Sequence, residues 1–183
     1  CAPKKVKRAV KLTAKRGSAG DPVKTARGVS VITVPDERWA RRDIKSVALL
    51  PNILAKQAAR EAGADEAWQV DAEGYVTEGS STNAWIVTKD NELVTRPATH
   101  DILRGITRQT LLSVAKSRGL KLVERPFTVQ EACDAKEAFI TSASSYVMPV
   151  VSIDNHSVGN GAPGEMTLNL VDGYISAVSE PAA

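Results

Sequence analysis

The sequence predicts a mixed α/β fold, and three observations support this prediction. Hydrophobic residues make up 43% of the 183 residues, which is enough to build a packed core. Short runs of β-branched and apolar residues, typical of strands, recur along the chain. Between them lie segments of helical composition that end at a glycine. At this length the chain corresponds to one domain, or to one domain with an appendage.

The first half of the chain contains three predicted strands and one predicted helix. The first strand covers 29–34, where nearly every position is β-branched. The helix covers 51–62, with a proline in its first turn and a glycine directly after it. Segments 66–71 and 83–88 are expected to form strands that pair with each other around the turn-rich segment 71–74.

The second half continues the alternation of strands and helices. In order, we predict a helix over 107–118, strands over 121–124, 137–141 and 150–153, and a weaker terminal helix over 165–178 that contains Gly173. No internal repeat is visible in the sequence. The pattern is that of a mixed α/β (α+β) domain.

Basic residues are concentrated at the beginning of the chain. Residues 1–27 contain nine Lys/Arg and one acid, Asp21, whereas the remaining residues contain more acids than bases. A cationic arm can indicate a nucleic-acid or membrane contact. This arm has no aromatic residue to stack on bases, so we expect a solvated connecting segment with a flexible break at 17–22, and neither a nucleic-acid nor a membrane partner.

Several classes of site are disfavoured by the sequence. No apolar run approaches the ~20 residues that cross a bilayer. His100 and His156 are isolated from other ligands at metal spacing, so no metal is expected. The two cysteines, Cys1 and Cys133, form no disulfide pattern, and a cytoplasmic location is the simplest expectation. The chain begins without Met or a signal segment, so it reads as part of a longer protein.

Two turns have the composition of anion-binding sites. In Leu103–Arg108 a glycine directly precedes a predicted helix, whose first N–H groups and positive dipole end can bind a phosphate. Thr141–Ser145 follows a predicted strand with four hydroxyls and small side chains. Taken separately, each segment is more typical of an ordinary helix cap or turn.

Two charged residues lie in apolar surroundings. Glu78 lies between two apolar segments, where a carboxylate is costly to bury without a partner, although an exposed turn acid would fit as well. Lys45 lies in the run Asp43–Leu50, which is apolar enough to bury it and make its amine a usable nucleophile or base. A lysine whose ammonium reaches solvent is the alternative.

Three motifs in order give these residues a common interpretation. The chain contains Asp43-Ile44-Lys45-Ser46, then Glu78-Gly79-Ser80-Ser81-Thr82-Asn83, then Leu103-Arg104-Gly105-Ile106-Thr107-Arg108. In this order, and across about 29–164, the sequence resembles the D-amino-acid transaminases of the class IV aminotransferases. These are enzymes that use pyridoxal 5'-phosphate (PLP).

The resemblance implies a role for each residue. Lys45 would be the catalytic residue and would hold PLP as a Schiff base, and Glu78 would hydrogen-bond the ring nitrogen. Gly105, Ile106 and Thr107 would bind the phosphate. The remaining cofactor contacts implied are Ser81, Leu103 against the ring face, and Ser142 and Ala143 as a second phosphate contact.

The sequence also departs from the family pattern. Ala143 replaces a threonine that is common in relatives, Arg104 stands where proline is usual, and Tyr146 replaces a frequent glutamate. The family has a smaller N-terminal domain that grips the substrate, so residues 1–28 would be its last part and the link, and 29–183 the PLP-binding domain. The chain alone is then expected to be a poor transaminase.

The expected reaction transfers an amino group between a D-amino acid, of the D-alanine or D-glutamate type, and a 2-oxo acid. A homodimer is expected because family dimers share the active site. The alternatives are a branched-chain aminotransferase, an aminodeoxychorismate lyase, or a cofactor-binding fragment without activity.

Overall fold

The computed structural model describes residues 20–179, which form five helices and nine strands. The helices are α1 (Pro22–Arg27), α2 (Leu50–Glu61), α3 (Ile106–Ser117), α4 (Val129–Cys133) and α5 (Glu165–Ser179). The strands are β1 (Val29–Pro35), β2 (Glu66–Val70), β3 (Val76–Gly79), β4 (Asn83–Val87), β5 (Glu92–Thr95), β6 (Lys121–Glu124), β7 (Glu137–Ser142), β8 (Tyr146–Ile153) and β9 (His156–Ser157).

All nine strands belong to one mixed sheet. Eight of them follow the order β3-β2-β1-β8-β7-β4-β5-β6, and β9 pairs with β8. Strand β1 is parallel to both of its neighbours, β2 and β8, and β5 is parallel to β6. The other pairs are antiparallel. The mixed α/β fold predicted from the sequence is confirmed.

The sheet buries side chains on both faces. Along β4, Trp85 and Ile86 point to opposite sides and belong to separate apolar clusters. The Trp85 ring stacks on Phe139 at 5.4 Å between centroids, and α3 and α5 cover this cluster. Gly173 lets the two helices approach, because a Cβ there would lie 2.8 Å from Cγ1 of Val114. Two-sided burial explains the continuous apolar runs in the strands.

The predicted pairing of 66–71 with 83–88 is wrong. Strand β2 instead pairs with β1 and with the short strand β3, while β4 pairs with β5 and β7. The turn at 71–74 is where the sequence places it, but it returns the chain into Val76–Gly79, whose composition gave no strand signal. The predictions also missed α1, α4, β5, β9 and the first half of β8.

The basic arm lies only partly within the described residues. Segment 1–19 is outside them, and the proposed flexible break is therefore described only from Gly20. Here the chain is structured: the Asp21 carboxylate accepts the N–H groups of Val23 and Lys24 at the start of α1. Within 20–179, no helix combines the length and apolar character needed to cross a membrane.

Candidate active site

One cavity of about 840 Å³ brings together all nine residues that the sequence singled out. It lies where β4 begins beside the end of β7, since Asn83 pairs with Thr141 there. Its walls come from the 38–56 segment, the loop between β3 and β4, the turn before α3 and the hairpin between β7 and β8. The predicted residues lining it are Lys45, Glu78, Ser81, Leu103, Gly105, Ile106, Thr107, Ser142 and Ala143.

Lys45 lines this cavity and is exposed, so of the two interpretations left open by the sequence the structure agrees with the lysine whose ammonium reaches solvent. The run does not enter the core. Segment 36–49 forms part of the cavity wall without joining the sheet, and Val47 is 97% exposed. The amine of Lys45 can therefore be reached from the cavity, which a nucleophile requires.

Glu78 is only 4% exposed and lies in β3, which excludes the interpretation as an exposed turn acid. Its carboxylate accepts hydrogen bonds from three sides. Nδ2 of Asn83 donates to Oε2 at 2.9 Å, the N–H of Leu103 donates to both oxygens at 3.1 Å, and the Arg38 guanidinium donates to Oε1. The carboxylate is thus fixed in orientation at the cavity wall.

Burial raises the pKa of Glu78 to about 7. The nearby Asp36 carboxylate acts in the same direction, whereas Arg38 and the Leu103 N–H favour the ionised form. The Asp36 carboxyl next to it behaves differently: despite burial, its hydrogen bond and charge pairing with Arg38 leave its pKa lowered. Two adjacent carboxyls therefore have opposite pKa shifts, a pattern typical of functional sites.

The start of α3 has the features of an anion site. Gly105 is the N-cap and provides no side-chain cap, the first turn has no acidic residue, and Ile106 is 67% exposed at the cavity. A Cβ at Gly105 would overlap Oδ1 of Asn83, so the turn needs glycine to pack this closely. The unpaired N–H groups and the positive dipole end are available to a phosphate.

The second predicted turn faces the same cavity. In the hairpin between β7 and β8, Oγ of Ser142 lies 2.7 Å from Oγ of Ser145 and 3.2 Å from Oγ of Ser144. Ala143 is exposed between them. The sequence alone could not distinguish either turn from an ordinary cap, but the structure places both turns on one cavity, where one anion could contact both.

Sequence reasoning missed several charged residues in and behind the cavity wall. Glu66 accepts hydrogen bonds from Ser80 and, at 3.3 Å, from Ser81, and its Oε1 lies 3.4 Å from Nζ of Lys56. Arg38 was missed as well. The one signal in the sequence that could have pointed to Arg38 is its position in the segment just before Lys45. Among residues 20–179 no three His, Cys, Asp or Glu side chains cluster as a metal site.

Comparison with known proteins agrees with the resemblance that the motifs indicated. A D-alanine aminotransferase from Bacillus licheniformis is 48% identical over 143 residues, which cover 78% of this chain and 50% of that protein. One from Staphylococcus aureus (strain COL) is 42% identical over 147 residues, covering 80% and 51%. The chain spans about half the length of the relatives it matches.

Solved structures of branched-chain amino acid aminotransferases share the fold. The T.th. enzyme with pyridoxamine 5'-phosphate superposes with a TM-score of 0.80 at 31% identity, over 90% of this chain and 55% of that one. The Escherichia coli enzyme gives a TM-score of 0.80 at 26% identity, over 88% and 54%. The family model for amino-transferase class IV matches residues 3–153, and the chain belongs to this family.

Proposed function

We propose that this chain provides the PLP-binding part, residues 29–183, of an aminotransferase that acts on a D-amino acid and a 2-oxo acid. The observation that carries the proposal is the cavity itself. An accessible amine, a buried carboxylate held by three donors and the open start of a helix face one space of about 840 Å³. A phosphorylated pyridine aldehyde needs these three groups: an amine for its aldehyde, a carboxylate for its ring nitrogen and the start of a helix for its phosphate.

The residues present fit PLP. The N–H groups at the start of α3, the Thr107 hydroxyl and the Ser142 turn would hold the phosphate. Glu78 would accept a hydrogen bond from the ring nitrogen, and Leu103 would pack on the ring face. When bound, PLP supplies an electron sink that stabilises negative charge at the substrate Cα.

The chain's own residues would do the rest of the chemistry. The Lys45 amine would hold the cofactor covalently and, once released from it, take the proton from the substrate Cα and return it. An anionic Glu78 would keep a proton on the ring nitrogen, which lets the ring accept electron density. Ser81 is exposed and lines the cavity, where it would lie close to the cofactor and substrate.

Two observations favour a D-amino acid substrate over the alternatives. Identity to D-alanine aminotransferases reaches 48%, compared with 31% to a branched-chain aminotransferase of known structure. The Glu-Gly-Ser-Ser motif at Glu78–Ser81 also resembles the D-specific branch. Branched-chain aminotransferase, aminodeoxychorismate lyase and a cofactor-binding fragment without activity are the competing outcomes.

The test uses PLP-loaded enzyme in which this chain is extended N-terminally, because the chain alone is expected to be a poor transaminase. With D-alanine and 2-oxoglutarate we expect pyruvate and D-glutamate, identified by chiral chromatography and mass spectrometry. L-Leucine should react at least about 10-fold more slowly. Preference for L-leucine, or release of pyruvate and 4-aminobenzoate from aminodeoxychorismate, would replace the D-specific assignment. Bound PLP without turnover of any substrate would support the inactive fragment.

We infer that the chain also pairs with a second copy. Helix α2 and the segment before it expose large apolar side chains next to the cavity: Val47, Leu50 (65%), Ile53 (60%) and Leu54 (54%). Contiguous apolar surface of this kind is typical of an interface. Sedimentation velocity should show a dimer at micromolar concentration, and a monomer throughout would contradict it.

The free thiol of Cys133 favours the reducing cytoplasm as the location of the protein, which cell fractionation can test.

A further inference from the structure

We propose that Arg38 is a positioning residue for the reaction: clamped by Asp36, its guanidinium orients the Glu78 carboxylate toward the cofactor and supplies the counter-charge that keeps it anionic. The inference rests on the proposed function, because it assigns Arg38 a role only through Glu78. Nothing in the sequence motifs points to this residue.

The geometry of Arg38 is that of a fixed group. Its Nε donates to Oδ1 of Asp36 at 2.9 Å and its Nη2 donates to Oδ2 at 2.8 Å, so the planar fork is held at two points. Nη1, on the other side of the fork, donates to Glu78. Only 7% of the Arg38 side chain is exposed. A guanidinium held in this way is not free to swing toward a substrate carboxylate.

Asp36 is held in turn by its own neighbours. Its side chain is fully buried, its Oδ2 accepts from the Thr77 hydroxyl at 2.7 Å, and Nε of Arg42 lies 3.1 Å from the same oxygen. Two cations and two anions therefore form one buried, balanced cluster. Removing the Arg38 charge would leave the Asp36 and Glu78 carboxyls with Arg42 alone, which contacts Asp36 and the partly exposed Asp101 but not Glu78.

The surroundings of Glu78 make this counter-charge necessary. The groups that face its carboxylate are Arg38 and, behind it, Asp36, together with the neutral amide of Asn83 and the Leu103 N–H. Burial and Asp36 both favour the protonated carboxyl. Arg38 is the one cation that contacts Glu78 among the described residues, so it is the group that keeps an anion available to the ring nitrogen.

The test uses Arg38→Met, which keeps most of the length but removes the charge, with Arg41→Met as matched control. Arg41 is an exposed arginine that pairs with Asp43 and does not line the cavity. With ¹⁵N-labelled PLP bound, the ring-nitrogen resonance of the parent chain should be that of a protonated pyridinium. Arg38→Met should move it toward neutral pyridine, and Arg41→Met should leave it unchanged.

A double-mutant cycle separates positioning from general structural damage. Arg38→Met alone should slow Cα–H exchange of D-alanine in D₂O by about 10-fold or more, on the scale of an electrostatic contribution at the reacting centre. In the Glu78→Gln background, Arg38→Met should slow exchange by less than about a further 3-fold, because the Glu78 carboxylate on which Arg38 acts is already absent. The proposal would be overturned if the effects of Arg38→Met and Glu78→Gln on the exchange rate multiplied in the double mutant. An unchanged ring-nitrogen resonance in Arg38→Met would also overturn it.

Arg38→Lys covers the case in which Arg38→Met does not fold. Lysine keeps the charge but loses the fork, so the ring nitrogen should stay protonated while exchange slows by a few-fold. A neutral ring nitrogen in this variant would contradict the proposed charge effect. If PLP is not attached to Lys45 in the parent chain, the proposed function fails instead, so the two failures are distinguishable.

Discussion

Replacing Lys45 with alanine is expected to abolish covalent attachment of PLP and to slow exchange of the D-alanine Cα–H by at least about 10³-fold. The amine of Lys45 reaches the cavity from the 36–49 segment, and no other predicted site residue carries an amine. Both attachment and proton transfer depend on that nitrogen, and acid–base catalysis alone typically contributes 10²–10⁴-fold. Borohydride reduction of the PLP-loaded chain, followed by peptide mass mapping, should place the adduct on Lys45.

Lys56→Ala is the matched control. Lys56 lines the same cavity, but its Nζ donates to the Asp65 carbonyl at 2.6 Å and lies next to Glu66, so it is already engaged. This variant should keep the adduct on Lys45. Labelling of Lys56 or Lys89 in the parent chain, with Lys45 unmodified, would refute the assignment.

Local structure was largely readable from the sequence, because it depends on neighbours along the chain. The Pro51 and Gly63 boundaries of α2, the glycine before α3 and the β-branched run of β1 each have a local physical cause. Strand pairing was not readable in the same way. The short Val76–Gly79 segment becomes a strand only because the sheet edge at β2 accepts it.

The site shows the same division. The motifs led to Lys45, Glu78 and the turn at Gly105, since their residue types and order are visible in one dimension. The partners that set the charge of Glu78 cannot be found in this way, because Arg38 is 40 positions away in sequence and lies in a segment with no regular structure. The sequence left open whether Lys45 is buried or reaches solvent, because apolar neighbours in sequence can equally line an open cavity.

Glu78→Gln is expected to retain PLP but to slow Cα–H exchange by about 10²-fold or more. Glutamine is nearly isosteric and can still accept from Leu103, but it cannot supply the negative charge that keeps a proton on the ring nitrogen. The absorbance of bound PLP checks retention, and exchange of D-alanine in D₂O, followed by proton NMR, gives the rate. A rate within about 3-fold of the parent would show that Glu78 only fills the wall of the cavity.

The same substitution should change how stability depends on pH in the chain without cofactor. The pKa of Glu78 is about 7 in the folded chain against an ordinary value of 4.5, so between these pH values the folded state binds more protons than the unfolded state. The free energy of unfolding must therefore fall as pH rises through this window, by about 3 kcal/mol at most from this group. Carboxyls with lowered pKa, such as Asp36 and Asp101, act in the opposite direction but below this window.

Urea unfolding of the parent chain and Glu78→Gln at half-unit steps from pH 4.5 to 8 isolates the contribution of this one carboxyl. All other titrating groups are common to the two chains, so they cancel in the difference between the two unfolding free energies. Relative to the parent chain, Glu78→Gln should become more stable as pH rises to about 7, and above that pH the difference should stay constant. A difference independent of pH would mean that Glu78 ionises in the folded chain as it does in the unfolded one. Burial would then not raise the pKa of Glu78 in the chain without cofactor, whatever the exchange rate of the PLP-loaded chain shows.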